Sequence, residues 1–277
     1  MSTTTDTRKA TQSIVLTVGG SDSGGSAGIQ ADLKTFAARG VFGTTALTMI
    51  TAQDTRMVYK SQPIPEEMIQ AQIEAVLQDM NVTALKTGLL ARATVIDLVA
   101  RMVKQYGVHN VVIDPVLVNG KGESIVAPEA ISAYRQQLFP LAKVITPNLD
   151  EASLLAEMSI ESISDMQAAA IRIHKQGAPG ILIKGGHLTG TDFILDIFYD
   201  GSTFLELQAF RLLIQNPHGV GCTLAAAIAA ELAKGQGVTA AVKTAHAYLQ
   251  RGLAASWQVG KGRIPVHHGV DCEDKIT

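Results

Sequence analysis

The chain has 277 residues, 47% hydrophobic and 17% charged, a composition that fills a large core and excludes a disordered chain. Its 23 basic and 25 acidic residues leave a formal net charge of -2 with no run of either sign, so nucleic acid and anionic membrane are not expected partners. Residues 1–12 are rich in Ser and Thr without the apolar core of a signal peptide, and no apolar stretch reaches the roughly 20 residues that span a bilayer.

The expectation is therefore a cytoplasmic protein with one domain over residues 13–271, a flexible tail at 1–12 and a short one at 272–277. Cys222 and Cys272 are too few for a disulfide framework and lack metal-ligand spacing.

Apolar, β-branched runs alternate with segments of helical periodicity along the chain. The runs are nearly continuous, as in strands of a parallel sheet buried on both faces. A strand at 14–18 leads into the glycine-rich segment 19–28, a helix over about 27–39 ends at Gly40, and a strand follows at 44–51.

After Pro65, the residues Ile69, Ile73, Val76, Leu77 and Met80 recur at helical spacing, as do Val95, Val99, Met102, Val103 and Tyr106 later. Short strands are expected at 84–86, 111–113, 144–146 and 181–184, each running into a polar or glycine-bearing loop, where ligand sites of such sheets gather. Strands at 193–199 and 203–207 flank Asp200-Gly201, a dipeptide that favours a tight hairpin turn. Alanine-rich helices over about 222–234 and 238–257 follow.

The strongest local signal is Gly219-Val220-Gly221-Cys222-Thr223, where glycines open a helical run and expose several backbone N–H groups at one point. Such a point attracts an anion. A thiol in that first turn is expected to have a lowered pKa and to accept a proton near neutral pH. The segment reads equally as a packed helix start with a small buried cysteine.

No Walker A loop is present, and the dinucleotide-like residues 235–240 follow a helix, not a strand. In the segment 19–28 the glycines allow backbone to approach a ligand closely, and the segment reads equally as a flexible turn. Beyond it, Ile29, Asp32, Leu33 and Phe36 share one helix face, which places a carboxylate on an apolar stripe, where it needs a partner. Gln53 reads as a turn residue or a ligand contact. Asp114, Asn148, Glu151 and Lys184 bring hard oxygens and a cation to the sheet's carboxyl edge, where they suit Mg²⁺ and phosphates.

These residues lie in blocks that resemble the hydroxymethylpyrimidine and phosphomethylpyrimidine kinases of thiamin biosynthesis, in the ribokinase-like superfamily. The blocks are Gly20-Ser21-Asp22 with residues 27–36, Thr51-Ala52-Gln53, residues 86–90, Asp114-Pro115-Val116, residues 145–152, Lys184-Gly185-Gly186-His187, residues 218–223, Gly260-Lys261-Gly262 and residues 265–268. They run in family order over about 14–268.

The resemblance implies a three-layer α/β/α fold with a mainly parallel sheet, ATP and Mg²⁺ as cofactors, and a homodimer. The implied activity is phosphorylation of 4-amino-5-hydroxymethyl-2-methylpyrimidine and of its monophosphate. It also implies that Gly20, Asp32, Gln53 and Leu89 line the pyrimidine pocket, with Asp32 and Gln53 bonding the ring. Asp114, Asn148 and Lys184 face ATP, and Asp114 and Glu151 the metal. Gly219, Val220, Gly221 and Cys222 form the anion hole, with Cys222 as base.

Related readings are a pyridoxal kinase of the same branch and a pyrimidine-binding homologue with impaired catalysis. The chain departs from the family pattern at Leu89, usually Met, at Val220, usually Thr but retaining its N–H, and at Pro217, usually Thr, where a hydroxyl and an N–H are lost.

Overall fold

A computed structural model describes residues 12–119, 122–186, 193–212, 214 and 216–270. The expected tails, apart from Gln12, lie outside these, as do Cys272 and His187.

Among the described residues, nine strands form one sheet in the order β3-β2-β1-β4-β5-β6-β7-β8-β9. These are β1 (Ile14–Asp22), β2 (Phe42–Gln53), β3 (Val58–Pro63), β4 (Val82–Thr87), β5 (Val111–Ile113), β6 (Val144–Ile145), β7 (Ile181–Ile183), β8 (Phe193–Tyr199) and β9 (Phe204–Phe210). The pairs from β2 through β7 are parallel, while β3 at one edge and β8 and β9 at the other are antiparallel.

Successive strand residues point to opposite faces. Val15, Ala84, Val112, Val144 and Leu182 therefore pack with α7 (Val220–Ala233) and α8 (Val238–Ala254) on one side. Leu16, Leu85, Ile113, Ile145 and Ile183 pack with α3 (Ala93–Tyr106) and α6 (Ile163–His174) on the other. The result is the expected three-layer arrangement. α1 (Gly28–Ala38) shares the first layer, with Phe36 buried there, and α2 (Glu66–Asp79) shares the second through Ile69 and Ile73. Burying each such Leu, Ile or Phe side chain contributes about 1.5–3 kcal/mol.

The chain reverses its winding between β1 and β4, so the crevice at their carboxyl ends is the switch point where open α/β sheets hold ligands.

Several elements differ from the sequence expectation. β1 runs four residues past Val18, because Gly19, Gly20, Ser21 and Asp22 remain paired with β2 across a register shift. β3 was not expected: all six of its residues are exposed, so it carries no buried face to give it a pattern. The β8–β9 hairpin pairs Tyr199 with Phe204, a four-residue connection organised by the Asp200 carboxylate, which accepts from the amides of Ser202 and Thr203. α7 starts two residues earlier than expected and α8 stops at Ala254, short of the exposed Trp257. α4 (Pro128–Ala133), followed by a π turn over Tyr134–Leu138, had no expectation.

Candidate active site

The loop after β1 is ordered by one carboxylate. Asp22, 3% exposed, accepts from the amides of Gly24, Ser26 and Ala27 at 2.8, 3.0 and 2.8 Å. Hydrogen bonds to an ionised acceptor are about twice as strong as neutral ones, so a glycine-rich segment is held in one shape. Gly28 opens α1 at φ 59°, and a Cβ there would lie 2.4 Å from the Gly20 carbonyl oxygen.

Across the crevice, α7 begins at Gly219 with φ 81°, and a Cβ on Gly219 would fall 1.8 Å from the Ser26 carbonyl oxygen. The first intrahelical bond is Thr223 N to Gly219 O at 2.9 Å, which leaves the amides of Val220, Gly221 and Cys222 without intrahelical acceptors. They form the positive end of the helix. Thr223 Oγ1 donates to the same Gly219 carbonyl at 2.8 Å and lies 3.0 Å from His268 Nε2, so the C-terminal segment braces the helix start. Pro217 is exposed and pairs with Ile264 in a two-stranded ribbon of β10 (Pro217–His218) and β11 (Ile264–Pro265).

The charged groups of β5, β6 and β7 meet in front of that helix. Lys184 Nζ lies 3.5 Å from Asp114 Oδ1, and a Cβ on Gly221 would be 3.1 Å from Lys184 Nζ and 3.6 and 3.7 Å from the Asp114 oxygens. Burial works to lower the Lys184 pKa, but Asp114 and Glu151 outweigh it and hold the ammonium above its ordinary range.

Asn148 caps α5 (Leu149–Ala156). Its side chain accepts from Glu151 N at 2.9 Å, while Glu151 Oε2 accepts from Asn148 N at 2.8 Å. Burial pushes the Glu151 carboxyl up to about 7, Lys184 opposes the shift and Asp114 adds to it. Two carboxylates side by side at a crevice are a donor set that suits Mg²⁺, which keeps several waters and phosphate oxygens as ligands. Among the described residues no group of three His, Cys, Asp or Glu side chains is arranged to cage a metal on its own.

The structure gives Asp32 a place different from the one the resemblance implies. It is fully buried, and its carboxylate accepts from Thr17 Oγ1 at 2.6 Å and from Lys86 Nζ at 2.9 and 3.0 Å. The partner that a carboxylate on an apolar stripe requires is thus Lys86, not a pyrimidine ring. Burial raises the Asp32 carboxyl against the pull of Lys86 and Thr17. Burial works to lower the Lys86 pKa, but Asp32, Cys222 and Asp114 together outweigh it and hold the ammonium above its ordinary range.

Gln53, by contrast, ends β2 with a partly exposed side chain whose Oε1 accepts from Thr51 Oγ1 at 3.3 Å. Leu89 is partly exposed beside Gly20, where a Cβ would be 3.6 Å from Leu89 Cδ2. Leu89 thus lies against Gly20, while Gln53 lies at the end of β2 beside Ser23 and Thr51.

Cys222 also requires a correction. The expected lowering of its pKa by the helix dipole does not hold: burial pushes the thiol up to about 12, aided by Asp114 and Asp32, while Lys86 and a bond from the Gly28 amide oppose it. Desolvation of a thiolate outweighs the dipole here. At neutral pH the site holds a thiol.

Three further participants had no role in the sequence reading: Asp22, Lys86 and His268. Lys86 was legible as a lysine following Ala84-Leu85 inside a strand, a cation that a buried sheet position admits only with a counter-charge.

The sequence profile of the phosphomethylpyrimidine kinase family matches residues 22–267. The chain is 45% identical over 258 residues to the hydroxymethylpyrimidine/phosphomethylpyrimidine kinase of Rhizobium meliloti, covering 92% of this chain and 96% of that one. It is 42% identical over 254 residues to the chloroplastic thiamine biosynthetic bifunctional enzyme of Arabidopsis thaliana, covering 91% of this chain and 48% of the plant protein. Among solved structures, an ADP complex of Bacillus subtilis pyridoxal kinase superposes with a TM-score of 0.88 at 41% identity, covering 94% of this chain and 98% of that one.

The Asp32–Lys86 pair yields a stability prediction. Lys86→Met strands a buried carboxylate and is expected to cost about 3–5 kcal/mol. Adding Asp32→Asn, which removes the charge, is expected to recover at least half of that. Urea unfolding of both variants measures this, and a Lys86→Met protein as stable as wild type would contradict the pairing.

Proposed function

The chain belongs to the phosphomethylpyrimidine kinase family, and on that footing we propose that it transfers the γ-phosphoryl group of ATP to the hydroxymethyl oxygen of 4-amino-5-hydroxymethyl-2-methylpyrimidine. A second transfer to the monophosphate gives the diphosphate for thiamin biosynthesis. The observation that carries this reading is the convergence of Lys184 and Asp114 on the space beside Gly221, which has no side chain to fill it. ATP as donor is supported by the ADP bound in the similar Bacillus subtilis structure.

Phosphoryl transfer asks for positioning and charge neutralisation more than covalent chemistry. The pyrimidine lies against Gly20 and Leu89, with Gln53 at its polar edge. The alcohol oxygen attacks the γ-phosphorus, forming one O–P bond as the bond to the β-phosphate oxygen breaks. The amides of Val220, Gly221 and Cys222 and the Lys184 ammonium meet the charge on the transferring oxygens. Asp114 and Glu151, with Asn148 nearby, would hold Mg²⁺, which when bound would add charge neutralisation on the phosphates.

Cys222 takes the hydroxyl proton as its thiolate. Because burial keeps that thiolate scarce at neutral pH, its fraction, and turnover with it, increases as pH rises.

We also infer a cytoplasmic homodimer. No helix among the described residues is long and apolar enough to cross a membrane. The exposed edge strand β3, with Val58 and Tyr59 exposed next to Met57, offers unpaired backbone and apolar surface to a second copy. Sedimentation is expected to give twice the monomer mass, and a Tyr59→Asp variant to shift toward monomer. A monomeric wild type would contradict the dimer.

The activity test is ADP release with the hydroxymethylpyrimidine, its monophosphate and pyridoxal as acceptors. Both pyrimidines are expected to turn over with kcat/KM above that for pyridoxal. Tight pyrimidine binding without ADP release would favour a non-catalytic role, and a preference for pyridoxal the related vitamin kinase. Between pH 7 and 9, kcat is expected to rise in wild type. Cys222→Ala is expected to lose about 10²–10⁴-fold and to flatten the profile. Wild-type turnover in that variant would remove Cys222 from the mechanism.

A further inference from the structure

Behind Lys184 lies a buried acid–base pair that the reaction does not use directly. β7 pairs with β8 only as far as Ile183, opposite Ile197. At Lys184 the chain turns to bridge Asn148 on the other side, with Lys184 N donating to Pro147 O at 3.0 Å. The next amide, Gly185 N, donates to Asp196 Oδ1 at 2.9 Å. The backbones run so close there that a Cβ on Gly185 would lie 2.0 Å from the Leu195 carbonyl oxygen. A carboxylate thus takes the amide where the ladder ends.

That carboxylate is 4% exposed, and its other oxygen lies 3.7 Å from Nε2 of His246 on α8, itself 7% exposed. His246 Nε2 is buried with no hydrogen-bond partner of its own. A buried carboxylate and imidazole carry a desolvation cost, and a neutral backbone acceptor would have satisfied one amide without it. Their placement is explained if the loop start has to be held more rigidly than one ladder bond allows, since Lys184 is the cation that faces Asp114 and the space in front of Gly221.

We propose that Asp196, backed by His246, is a positioning residue for Lys184: it clamps the Gly185 amide and so fixes where the Lys184 ammonium meets the nucleotide phosphates. This rests on the reading of Lys184 as the phosphate-binding cation. Asp196 touches neither substrate nor nucleotide and acts through the backbone of the adjoining residue.

The test is steady-state kinetics of Asp196→Ala, Asp196→Asn and Lys184→Met, with thermal melts and calorimetric pyrimidine binding to show that each variant is folded. Loss of a hydrogen bond to a charged acceptor is expected to raise the KM for ATP about tenfold in Asp196→Ala, with the KM for the pyrimidine within about twofold of wild type. Asp196→Asn retains an acceptor for Gly185 N and is expected to restore the ATP KM to within about threefold.

A folded Asp196→Ala with an unchanged ATP KM, or with both KM values shifted equally, overturns the clamp. If Asp196→Ala falls short of folding, the clamp stands or falls on His246→Gln, expected to raise the ATP KM alone. Lys184→Met separates the two claims: if it leaves ATP kinetics untouched, the reading of Lys184 fails, whereas impairment by Lys184→Met without impairment by Asp196→Ala leaves that reading in place and removes only the clamp.

Discussion

The site exists because two stretches of backbone approach each other with no side chain between them. Gly219 sits against the Ser26 carbonyl and Gly28 against the Gly20 carbonyl, both at positive φ. A Cβ on Gly219 would drive the start of α7 away from the β1–α1 loop, and one on Gly28 would drive the start of α1 away from the end of β1. With the contact made, the free amides of α7 face the carboxyl end of β1, and every group that carries charge in the reaction is placed relative to that junction. The Asp22 carboxylate fixes one side of it, and the Thr223–His268 contact braces the other.

Around the junction, charges occur in opposed pairs at two depths. Asp32 and Lys86 neutralise one another within the layers, and Asp114 and Lys184 face the crevice, with Lys184 14% exposed. The deep pair is closed to ligands and makes the strand ends rigid. The crevice pair is open to them and separated by 3.5 Å, so a phosphate or a metal ion can insert its own charge. Cys222 experiences both pairs. Its raised pKa is the consequence of its burial, with the Asp114 and Asp32 carboxylates adding to the shift.

The alternation of apolar runs and helical stripes was enough to anticipate a mainly parallel sheet, because strands such as Val111–Ile113 are buried on both faces and read as uninterrupted apolar runs. The glycine-led helix start and the groups at Asp114 and Lys184 were legible for the same reason: their residue types are costly or unusual at such positions. What did not read through was partnership. Nothing local to Asp32 says that Lys86, 54 residues on, answers it, and the pairing changes its role from ligand contact to internal counter-ion. The Cys222 shift went the opposite way to a dipole argument because desolvation depends on the packed surroundings, which a sequence does not display. β3 escaped notice since an exposed edge strand has no buried face to impose a period.

The central claim is that the space in front of Gly221, facing Lys184 and Asp114, receives the transferring phosphoryl group. The most direct measurement is kcat of a Gly221→Ala variant whose melting temperature matches wild type. The added methyl group would stand 3.1 Å from Lys184 Nζ. A fall in kcat of about 10²-fold or more, comparable to losing an oxyanion donor, is the expected result; wild-type turnover in that variant would place the transfer elsewhere.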